Sequence, residues 1–443
     1  NMLGVVRERQ GKLEDAAATF EAALATDPGD SAVQTNLGRV WQRLGRLDEA
    51  IATLERVVET EPESAEALFH LGVALYRRGK VAEATPHLER AAEAAPGAET
   101  LNSLGAVLAD QGRLGDAMAA FRASLELQPD LNEACAGLYP LLQVACEWIE
   151  LDELGARLDA LNRDRLAQGM PAAEPPLGNV GRVDDPASNL AVARSWGQGI
   201  AVEAARHGVT FPTAGRGRGA GGKIKLGYLS RDFQDHPLVH LMGRLFPLHD
   251  RARFSVTAYS LGPDDGSRYR KQIEQDSDRF VDMEAIDNLE AAERIFADGV
   301  DILVDLMGHT RRNRLEICGL RPAPVQVTYL GFPGTAGAAF LDYAIGDKTV
   351  TPVENDNYYR EKLVILPHCY QMNDNNSQIS DKPITRADFG LPEDAFVFCS
   401  FNNPSKIDPV MFDIWMDLLR DVPNSVLWLF HNNELARRNL ERE

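Results

Sequence analysis

The sequence predicts two kinds of structure in succession, an array of paired α-helices and then α/β structure built on a parallel sheet. A motif that recurs every 33 or 34 residues covers residues 1–129, as in helical repeat arrays. Beyond a Gly-rich segment that ends near residue 222, short β-rich runs alternate with helical runs, which favours a doubly wound parallel sheet. A second α/β unit begins near residue 389.

The repeat motif places a glycine, an alanine, a large apolar residue and a proline at fixed offsets. Its Leu-Gly pairs lie at residues 3–4, 37–38, 71–72 and 104–105, which are 34, 34 and 33 residues apart. The alanine, the large apolar residue and the proline of the four repeats are, in order, Ala16, Phe20 and Pro28; Ala50, Leu54 and Pro62; Ala84, Leu88 and Pro96; and Ala117, Phe121 and Pro129. Glycine and alanine let two helices pack closely, and proline ends the second helix.

This is the pattern of tetratricopeptide repeats, which stack into a superhelix. The concave surface of such a superhelix usually binds a peptide or a protein partner. The alternative is that the repeats only support the neighbouring domain.

Charge and cysteine content narrow the class of protein. The formal net charge of −20 argues against general binding of nucleic acid or of an anionic membrane. The five cysteines are dispersed without a CxxC pair, as in a cytosolic protein with reduced thiols and no zinc site. No apolar run is long enough for a membrane span, and no signal peptide opens the chain. We therefore expect a cytoplasmic protein, and the first residue, Asn1, indicates a fragment.

Composition divides the chain into four segments: repeats at 1–129, a helical linker at 130–222, a first α/β domain at 223–388 and the start of a second at 389–443. The linker ends in TAGRGRGAGG (213–222), which predicts a flexible joint. Strands are expected at 223–230, 254–261, 301–308, 324–331, 362–367, 395–403 and 425–432, and helices at 288–299 and 408–422. The last segment holds about one and a half βα units, so we expect the second domain to be incomplete.

The stretch GYLSRDFQDHPLVHLM (227–242) joins the first strand to a helix. Pro237 suits the first helical turn, which puts His236 at the N-cap and Asp232 in the loop before it. A hydrogen bond from the His236 imidazole to the Asp232 carboxylate would fix the tautomer of the ring and raise its basicity. The alternative is that His236 only caps its helix. A third metal ligand near His236 and His240 is missing from the sequence pattern, so no metal site is expected.

A second cluster lies in GHTRRNRLEICGLRPAPVQVTYLGFPGTAG (308–337). It contains the glycines Gly331, Gly334 and Gly337 and the arginines Arg311, Arg312 and Arg314. Bare backbone N–H groups at the glycines can contact a sugar or a phosphate, and guanidinium groups are forked donors for anions. The alternative is a Gly/Pro turn beside a solvated basic face.

Two further motifs carry charge. In SFNNPSKIDP (400–409), Lys406 precedes a helix whose N-terminus could share a pyrophosphate with the ammonium group, although a solvated lysine is the common case. Asp276-Ser277-Asp278 matches the DxD of metal-dependent sugar-nucleotide enzymes. It lies in a charged run with no predicted strand before it, and we interpret it as a solvated helix face.

Taken together, these motifs resemble the O-linked N-acetylglucosaminyltransferase / SPINDLY family. The order also matches: tetratricopeptide repeats, PLLQVACEW (140–148), SRDFQDHP (230–237), GHT with LRPAPVQVTYLGFPGT, FNNPSKIDP (401–409) and PNSVLWL (423–429). The resemblance implies a GT-B fold of two Rossmann-like domains, the second truncated here. It also implies transfer of a sugar from a nucleotide to Ser or Thr hydroxyls of proteins, with inversion and without a metal cofactor.

The resemblance also assigns site residues by motif. Asp232 and His236 occupy positions proposed to be catalytic or proton-handling. The donor-binding positions are Pro237, Arg314, Leu330, Gly331, Pro333, Asn403, Lys406 and Phe430. The expected donor is UDP-GlcNAc or another sugar nucleotide, and the expected partners are acceptor proteins or peptides in the repeat groove. Little or no turnover is expected from residues 1–443 alone.

Two features leave the substrates open. Asn403 stands where the glucosaminyl enzymes have glutamine, and the SPINDLY branch, which uses GDP-fucose, shares FNN and GHT, whereas HPLVHLM is closer to the glucosaminyl branch. An O-fucosyltransferase is therefore the first alternative, and a non-catalytic repeat scaffold is the second. Most of the family's asparagine ladder is absent from the repeats; the corresponding residues are Met2, Asn36, His70 and Ser103.

Overall fold

The computed structural model describes residues 1–212, 222–377 and 379–443, so all but the last residue of the predicted joint at 213–222 lies outside the described residues. The chain forms two compact units. The first comprises residues 1–158 together with 386–443, and the second comprises residues 159–385. The boundary between them falls within one long helix, Trp148–Ala167.

The first unit begins with four helix pairs and a further helix. The helices are α1 (Met2–Arg9), α2 (Leu13–Thr26), α3 (Ser31–Arg43), α4 (Leu47–Thr60), α5 (Ala65–Arg77), α6 (Val81–Ala94), α7 (Ala98–Asp110), α8 (Leu114–Leu127) and α9 (Asn132–Ala145), and α10 (Trp148–Ala167) follows. Pro28, Pro62, Pro96 and Pro129 lie in the turns that follow α2, α4, α6 and α8. The predicted period of helix pairs is therefore confirmed.

Each repeat glycine contacts the large residue that the motif pairs with it. A Cβ atom added to Gly38 would lie 2.6 Å from Leu54 Cγ, and one added to Gly72 would lie 2.6 Å from Leu88 Cγ. Phe20 and Phe121 occupy the same space beside Gly4 and Gly105. The Phe121 ring also packs on Gly137 of α9, where an added Cβ would lie 2.6 Å from Phe121 Cζ. The close packing of the repeats thus continues into α9.

The second unit is an α/β domain preceded by the two helices α11 (Pro176–Val180) and α12 (Pro186–Arg206). Its strands are β1 (Ile224–Ser230), β2 (Phe254–Ser260), β3 (Arg279–Asp282), β4 (Ile302–Asp305), β5 (Val325–Thr328), β6 (Tyr343–Asp347) and β7 (Lys362–Leu366). Its helices are α13 (Pro237–Met242), α14 (Leu245–Leu248), α15 (Arg268–Asp276), α16 (Asn288–Asp298) and α17 (Glu316–Gly319). All seven strands are parallel and follow the order β3-β2-β1-β4-β5-β6-β7.

The sequence analysis missed two of these strands, β3 and β6. Strand β3 is short and charged, and it pairs with β2 only at the edge of the sheet. The prediction of a solvated helix face at Asp276-Ser277-Asp278 is wrong beyond Asp276, where α15 ends. The Asp278 carboxylate accepts hydrogen bonds from the Val256 backbone N–H at 2.7 Å and from Arg251 at 3.0 Å. This aspartate therefore joins the start of β2 to the start of β3.

The C-terminal residues 386–443 return to the first unit as β8 (Phe396–Ser400), α18 (Pro409–Asp421), β9 (Ser425–Leu429) and α19 (Glu434–Arg442). Strands β8 and β9 form a parallel pair, which confirms the predicted strand–helix–strand order. Across the residues that the structure describes, no helix is long and apolar enough to cross a lipid bilayer.

Two glycines of α12 provide a matched test of the packing in the second unit. A Cβ at Gly197 would lie 2.9 Å from Ala338 Cα and 3.1 Å from the Gly337 carbonyl oxygen, whereas a Cβ at Gly199 would meet nothing within 4 Å. We expect Gly197→Ala to destabilise the second unit by about 1–2 kcal/mol because backbone atoms must move. Gly199→Ala should stabilise it by up to about 1 kcal/mol through helix propensity.

The measurement is native-state hydrogen exchange of buried β1 and β4 amides, which reports the stability of this unit separately from the other. Equal effects of the two substitutions would contradict the packing described for α12.

Candidate functional site

The strand order reverses between β1 and β4. The chain proceeds from β1 to β2 on one side and returns to β4 on the other, so the loops after β1 and β4 diverge and leave a crevice at the carboxyl edge of the sheet. A cleft of about 400 Å³ lies at this edge. Its lining residues follow the carboxyl ends of β1, β4, β5 and β7: Asp232, His236, Pro237, Leu238, Leu241, Thr310, Arg311, Leu330, Gly331, Tyr370 and Gln371.

His236 lies at the N-cap of α13, as predicted from the position of Pro237. Its Nδ1 atom accepts a hydrogen bond from the Leu238 backbone N–H at 3.2 Å. Because a backbone N–H can only donate, the neutral ring must carry its proton on Nε2. The His236 side chain is 42% exposed, so the neutral imidazole can offer its Nε2–H to a ligand in the cleft.

The hydrogen bond expected between Asp232 and His236 is not formed. Asp232 Oδ2 lies 3.7 Å from His236 Nδ1, an atom that already accepts the backbone N–H. The Asp232 backbone N–H instead donates to Ser230 Oγ at 2.9 Å. Burial raises the pKa of Asp232, and the nearby guanidinium of Arg231 opposes that rise. A carboxylate with a raised pKa beside a cleft is suited to accept a proton.

His240, one helical turn after His236, is engaged elsewhere. Its Nε2 atom pairs with Asp235 Oδ1 at 2.8 Å, and its ring packs on Tyr269 with ring centres 4.4 Å apart. Within residues 1–212, 222–377 and 379–443, no group of three or more His, Cys, Asp or Glu side chains is arranged to hold a metal ion.

The loop after β5 lines the cleft, but the presence of its glycines is explained by packing within the protein. A Cβ atom at Gly331 would overlap the Leu306 carbonyl oxygen, so glycine is needed where this loop crosses the loop after β4. The Gly331 N–H donates to the Tyr329 carbonyl at 2.8 Å, and the Gly337 N–H donates to Thr335 Oγ1 at 3.0 Å. Both amides thus have acceptors within the protein, and their contact with a sugar stays a prediction. Leu330, with a left-handed φ of 69°, still faces the cleft.

Pro333 lies in a second, smaller cavity beside the cleft. This cavity has a volume of about 190 Å³ and is lined largely by aromatic and apolar side chains, including Phe332 and Tyr359. Leu330 and Tyr370 line both cavities. The predicted donor loop therefore separates two adjoining spaces, only one of which contains Asp232 and His236.

Arg314 is committed to the protein itself. Its guanidinium donates to Asn288 Oδ1 at 2.7 Å and to the carbonyls of Met283 and Ile286 at 2.9 and 2.8 Å. Burial lowers the pKa of Arg314. These contacts fix the segment between β3 and α16, and the contact of Arg314 with the donor stays a prediction.

Asp305 is a residue of this region that the sequence analysis missed. It ends β4, is 1% exposed, and accepts backbone N–H groups from Met307 at 3.3 Å and Gly308 at 2.7 Å. Burial raises its pKa to about 6, and these two hydrogen bonds oppose the rise. Asp305 thereby holds the turn that leads into Thr310 and Arg311 of the cleft. An aspartate inside the apolar run DILVDLMG was the available signal.

The other predicted donor-binding residues belong to the first compact unit. Asn403 caps a short 3-10 helix, Pro404–Lys406, by accepting the Ser405 N–H at 3.1 Å. Phe430 follows β9 and is 44% exposed. The Asp408 carboxylate caps α18 by accepting the Met411 N–H at 2.8 Å, and the sharing of an anion between Lys406 and this N-terminus stays a prediction.

The comparison with protein families decides the assignment. The model of glycosyl transferase family 41 matches residues 146–382 and 380–442. The chain belongs to this family. Tetratricopeptide models match residues 1–59, 35–99 and 98–128.

Relatives of this family 41 chain carry two kinds of name. The probable UDP-N-acetylglucosamine–peptide N-acetylglucosaminyltransferase SEC of Arabidopsis thaliana is 37% identical, over 65% of this chain and 30% of the relative. The probable UDP-N-acetylglucosamine–peptide N-acetylglucosaminyltransferase SPINDLY of the same plant is 34% identical, over 46% of this chain and 22% of the relative. A mutant O-GlcNAc transferase of Thermobaculum terrenum has a similar structure, with a TM-score of 0.54 and 25% identity over 93% of this chain and 72% of that one. The chain spans about a third or less of the length of these curated relatives.

Asp305 makes the stability of the second unit depend on pH. Its pKa is about 6 in the folded protein and near 3.8 without burial, so the folded state binds the proton more tightly. The resulting stabilisation is complete below about pH 4 and is lost as the pH rises through 6. We expect Asp305→Asn to remove this loss. The free energy of unfolding of the mutant, relative to that of the wild type, should therefore rise by roughly 2–3 kcal/mol between pH 4 and pH 7.

The measurement is again hydrogen exchange of β1 and β4 amides in the two proteins at each pH. The difference between the free energies of unfolding of the two proteins at each pH cancels the titration of every other acidic group. A difference that stays constant from pH 4 to pH 7 would show that the carboxyl of Asp305 has an ordinary pKa.

Proposed function

We propose that the intact protein transfers N-acetylglucosamine from UDP-GlcNAc to Ser or Thr hydroxyls of proteins. The observation that carries this proposal is the cleft at the reversal of strand order, where Asp232 and His236 lie beside the Leu330-Gly331 loop. Membership of glycosyl transferase family 41 and the names of the relatives support the same reaction.

The reaction is a single inverting displacement. The acceptor oxygen forms a bond to the anomeric carbon, the bond from that carbon to the diphosphate oxygen breaks, and the hydroxyl proton must leave. We assign the proton to the Asp232 carboxylate, whose pKa is raised by burial, and from there to solvent. The Nε2–H of His236 would donate to a substrate oxygen, since Nδ1 is held by the Leu238 N–H.

We assign the stabilisation of the negative charge on the departing diphosphate to the ammonium group of Lys406. Its side chain is exposed, and within the described parts of the chain it has no ion pair or hydrogen-bond partner, so its ammonium is available to an anionic ligand. Charge stabilisation by an ammonium group and by N–H donors supplies what a metal ion supplies in other transferases. The proposed reaction therefore needs no metal.

The acceptor is proposed to bind along the concave surface of the repeats. Two of the positions that correspond to the family's asparagine ladder already have partners: Asn36 bonds to Asn1 and Arg39, and His70 Nδ1 contacts Gln42 Oε1 at 3.1 Å. Burial lowers the pKa of His70 to about 4, so this side chain is neutral at physiological pH. We therefore expect the repeats to contact acceptors through groups other than a continuous amide ladder.

The activity is tested with the intact protein, labelled UDP-GlcNAc or GDP-fucose, and a mixed protein substrate in the presence of EDTA. We expect labelled N-acetylglucosamine on protein, at a rate that EDTA leaves unchanged, and loss of most transfer in Lys406→Ala. Preferred transfer of fucose, which Asn403 favours, would replace the donor assignment. Capture of partners by residues 1–129 without transfer from any sugar nucleotide would overturn the proposal and indicate a scaffold.

Two substitutions at His236 separate its structural role from its chemical role. Asparagine is among the best N-cap residues, so His236→Asn should keep the helix cap while removing the imidazole, whereas His236→Ala removes both. We expect both variants to lose at least about 100-fold in kcat/KM, the scale of one positioned proton-handling or donor group.

Only His236→Ala should lower stability, by about 1 kcal/mol, as measured by hydrogen exchange at α13. Full activity in His236→Asn would reduce His236 to a helix cap.

A further inference from the structure

The carboxyl end of α9 is completed by side chains from the far end of the sequence. A helix leaves its last carbonyl groups without partners inside the helix. Asn433 Nδ2 donates to the Val144 carbonyl at 3.1 Å, and Asn439 Nδ2 donates to the Ala145 carbonyl at 2.7 Å. The Asn433 Oδ1 atom also accepts the Ala436 N–H at 2.7 Å, so one amide caps both α9 and α19. Residues 433–439 are thereby fixed to α9.

The turn that follows α9 makes two more contacts of this kind. Cys146 ends α9 in a left-handed conformation, with a φ of 56°, and its buried thiol donates to the Pro404 carbonyl at 3.7 Å. Trp148, the first residue of α10, donates its indole N–H to the Ile407 carbonyl at 3.2 Å. The Trp148 ring also packs against Phe412, with ring centres 5.5 Å apart.

These two anchored carbonyls lie on either side of Lys406. Pro404 and Ile407 are buried, whereas Lys406 between them is exposed. Backbone hydrogen bonds close the short helix, from the Lys406 N–H to Asn403 and from the Ile407 N–H to Pro404, each at 2.9 Å. The backbone at Lys406 is therefore held at both ends by residues 146 and 148, and only the side chain extends into solvent.

We propose that Trp148 is a positioning residue for Lys406. This inference rests on the proposed function, in which the Lys406 ammonium binds the nucleotide diphosphate. A lysine side chain is long and flexible, so a fixed backbone reduces the freedom that must be lost when the ammonium binds. The indole N–H of Trp148 supplies part of that fixation through the Ile407 carbonyl. Cys146 supports the other end of the same segment.

The first test measures the backbone itself. Trp148→Phe keeps an aromatic ring against Phe412 but removes the N–H donor, and Trp415→Phe is the matched control, because Trp415 also packs near Phe412, with ring centres 6.4 Å apart. We expect Trp148→Phe to accelerate hydrogen exchange at the Lys406 and Ile407 amides by about 3- to 10-fold, the range for one lost hydrogen bond. Trp415→Phe should leave these amides unchanged. Unchanged exchange in Trp148→Phe would overturn the inference.

The second test measures nucleotide affinity by calorimetry on the intact protein, with UDP or GDP, whichever the wild type binds more tightly. We expect Trp148→Phe to weaken binding by about 3- to 10-fold in the wild-type background and by less than about 2-fold in Lys406→Ala, because Trp148 acts through Lys406. Equal weakening in both backgrounds would indicate a merely structural role and overturn the inference. The inference would also be overturned if the wild-type protein bound neither nucleotide, or if Lys406→Ala left the nucleotide affinity unchanged.

The two proposals fail separately. Nucleotide binding with the expected coupling, but without sugar transfer from any donor, would reject the proposed function and retain the positioning of Lys406. Sugar transfer, together with a nucleotide affinity that Trp148→Phe leaves unchanged, would retain the proposed function and reject the positioning of Lys406.

Discussion

The parallel pairing of the seven-stranded sheet is the constraint on which the candidate site depends. Parallel strands end at the same edge, and the reversal of strand order between β1 and β4 opens that edge to a ligand. Asp232, Thr310 and Leu330 are far apart in the sequence, yet each follows a strand that ends beside the same cleft. The neighbouring loops can approach closely only because Gly331 has no side chain where it meets Leu306. The chemistry of the cleft is thus a product of topology before it is a product of individual residues.

Much of this arrangement follows from the sequence. The glycine-to-large-residue pairs of the repeats, such as Gly38 with Leu54, contact each other as the spacing predicts, because close helix packing requires one small partner. The apolar runs that became β1, β2 and β4 were recognisable because buried parallel strands are almost continuously apolar. The placement of His236 at a helix N-cap followed from Pro237 alone.

What the sequence could not provide was the competition among polar partners. His236 has two neighbours able to bond to its ring, and the Leu238 N–H occupies Nδ1 while Asp232 remains 3.7 Å away. Arg314 is a residue type that often binds anions, but here its guanidinium donates to carbonyl groups of a loop distant in the sequence. Strand β3 is too charged, and β6 too short, to stand out without the neighbours that pair with them. Each of these outcomes depends on residues brought together only by the fold.

The packing of Phe121 on Gly137 has a consequence for the whole first unit. Since that ring packs on Gly137 of α9 as it does on Gly105 of α7, close packing continues through the helix that ends at the turn of Cys146. The last helix of that array ends at the turn which holds the loop of Lys406, so the repeats and this loop form one continuously packed body within the first unit.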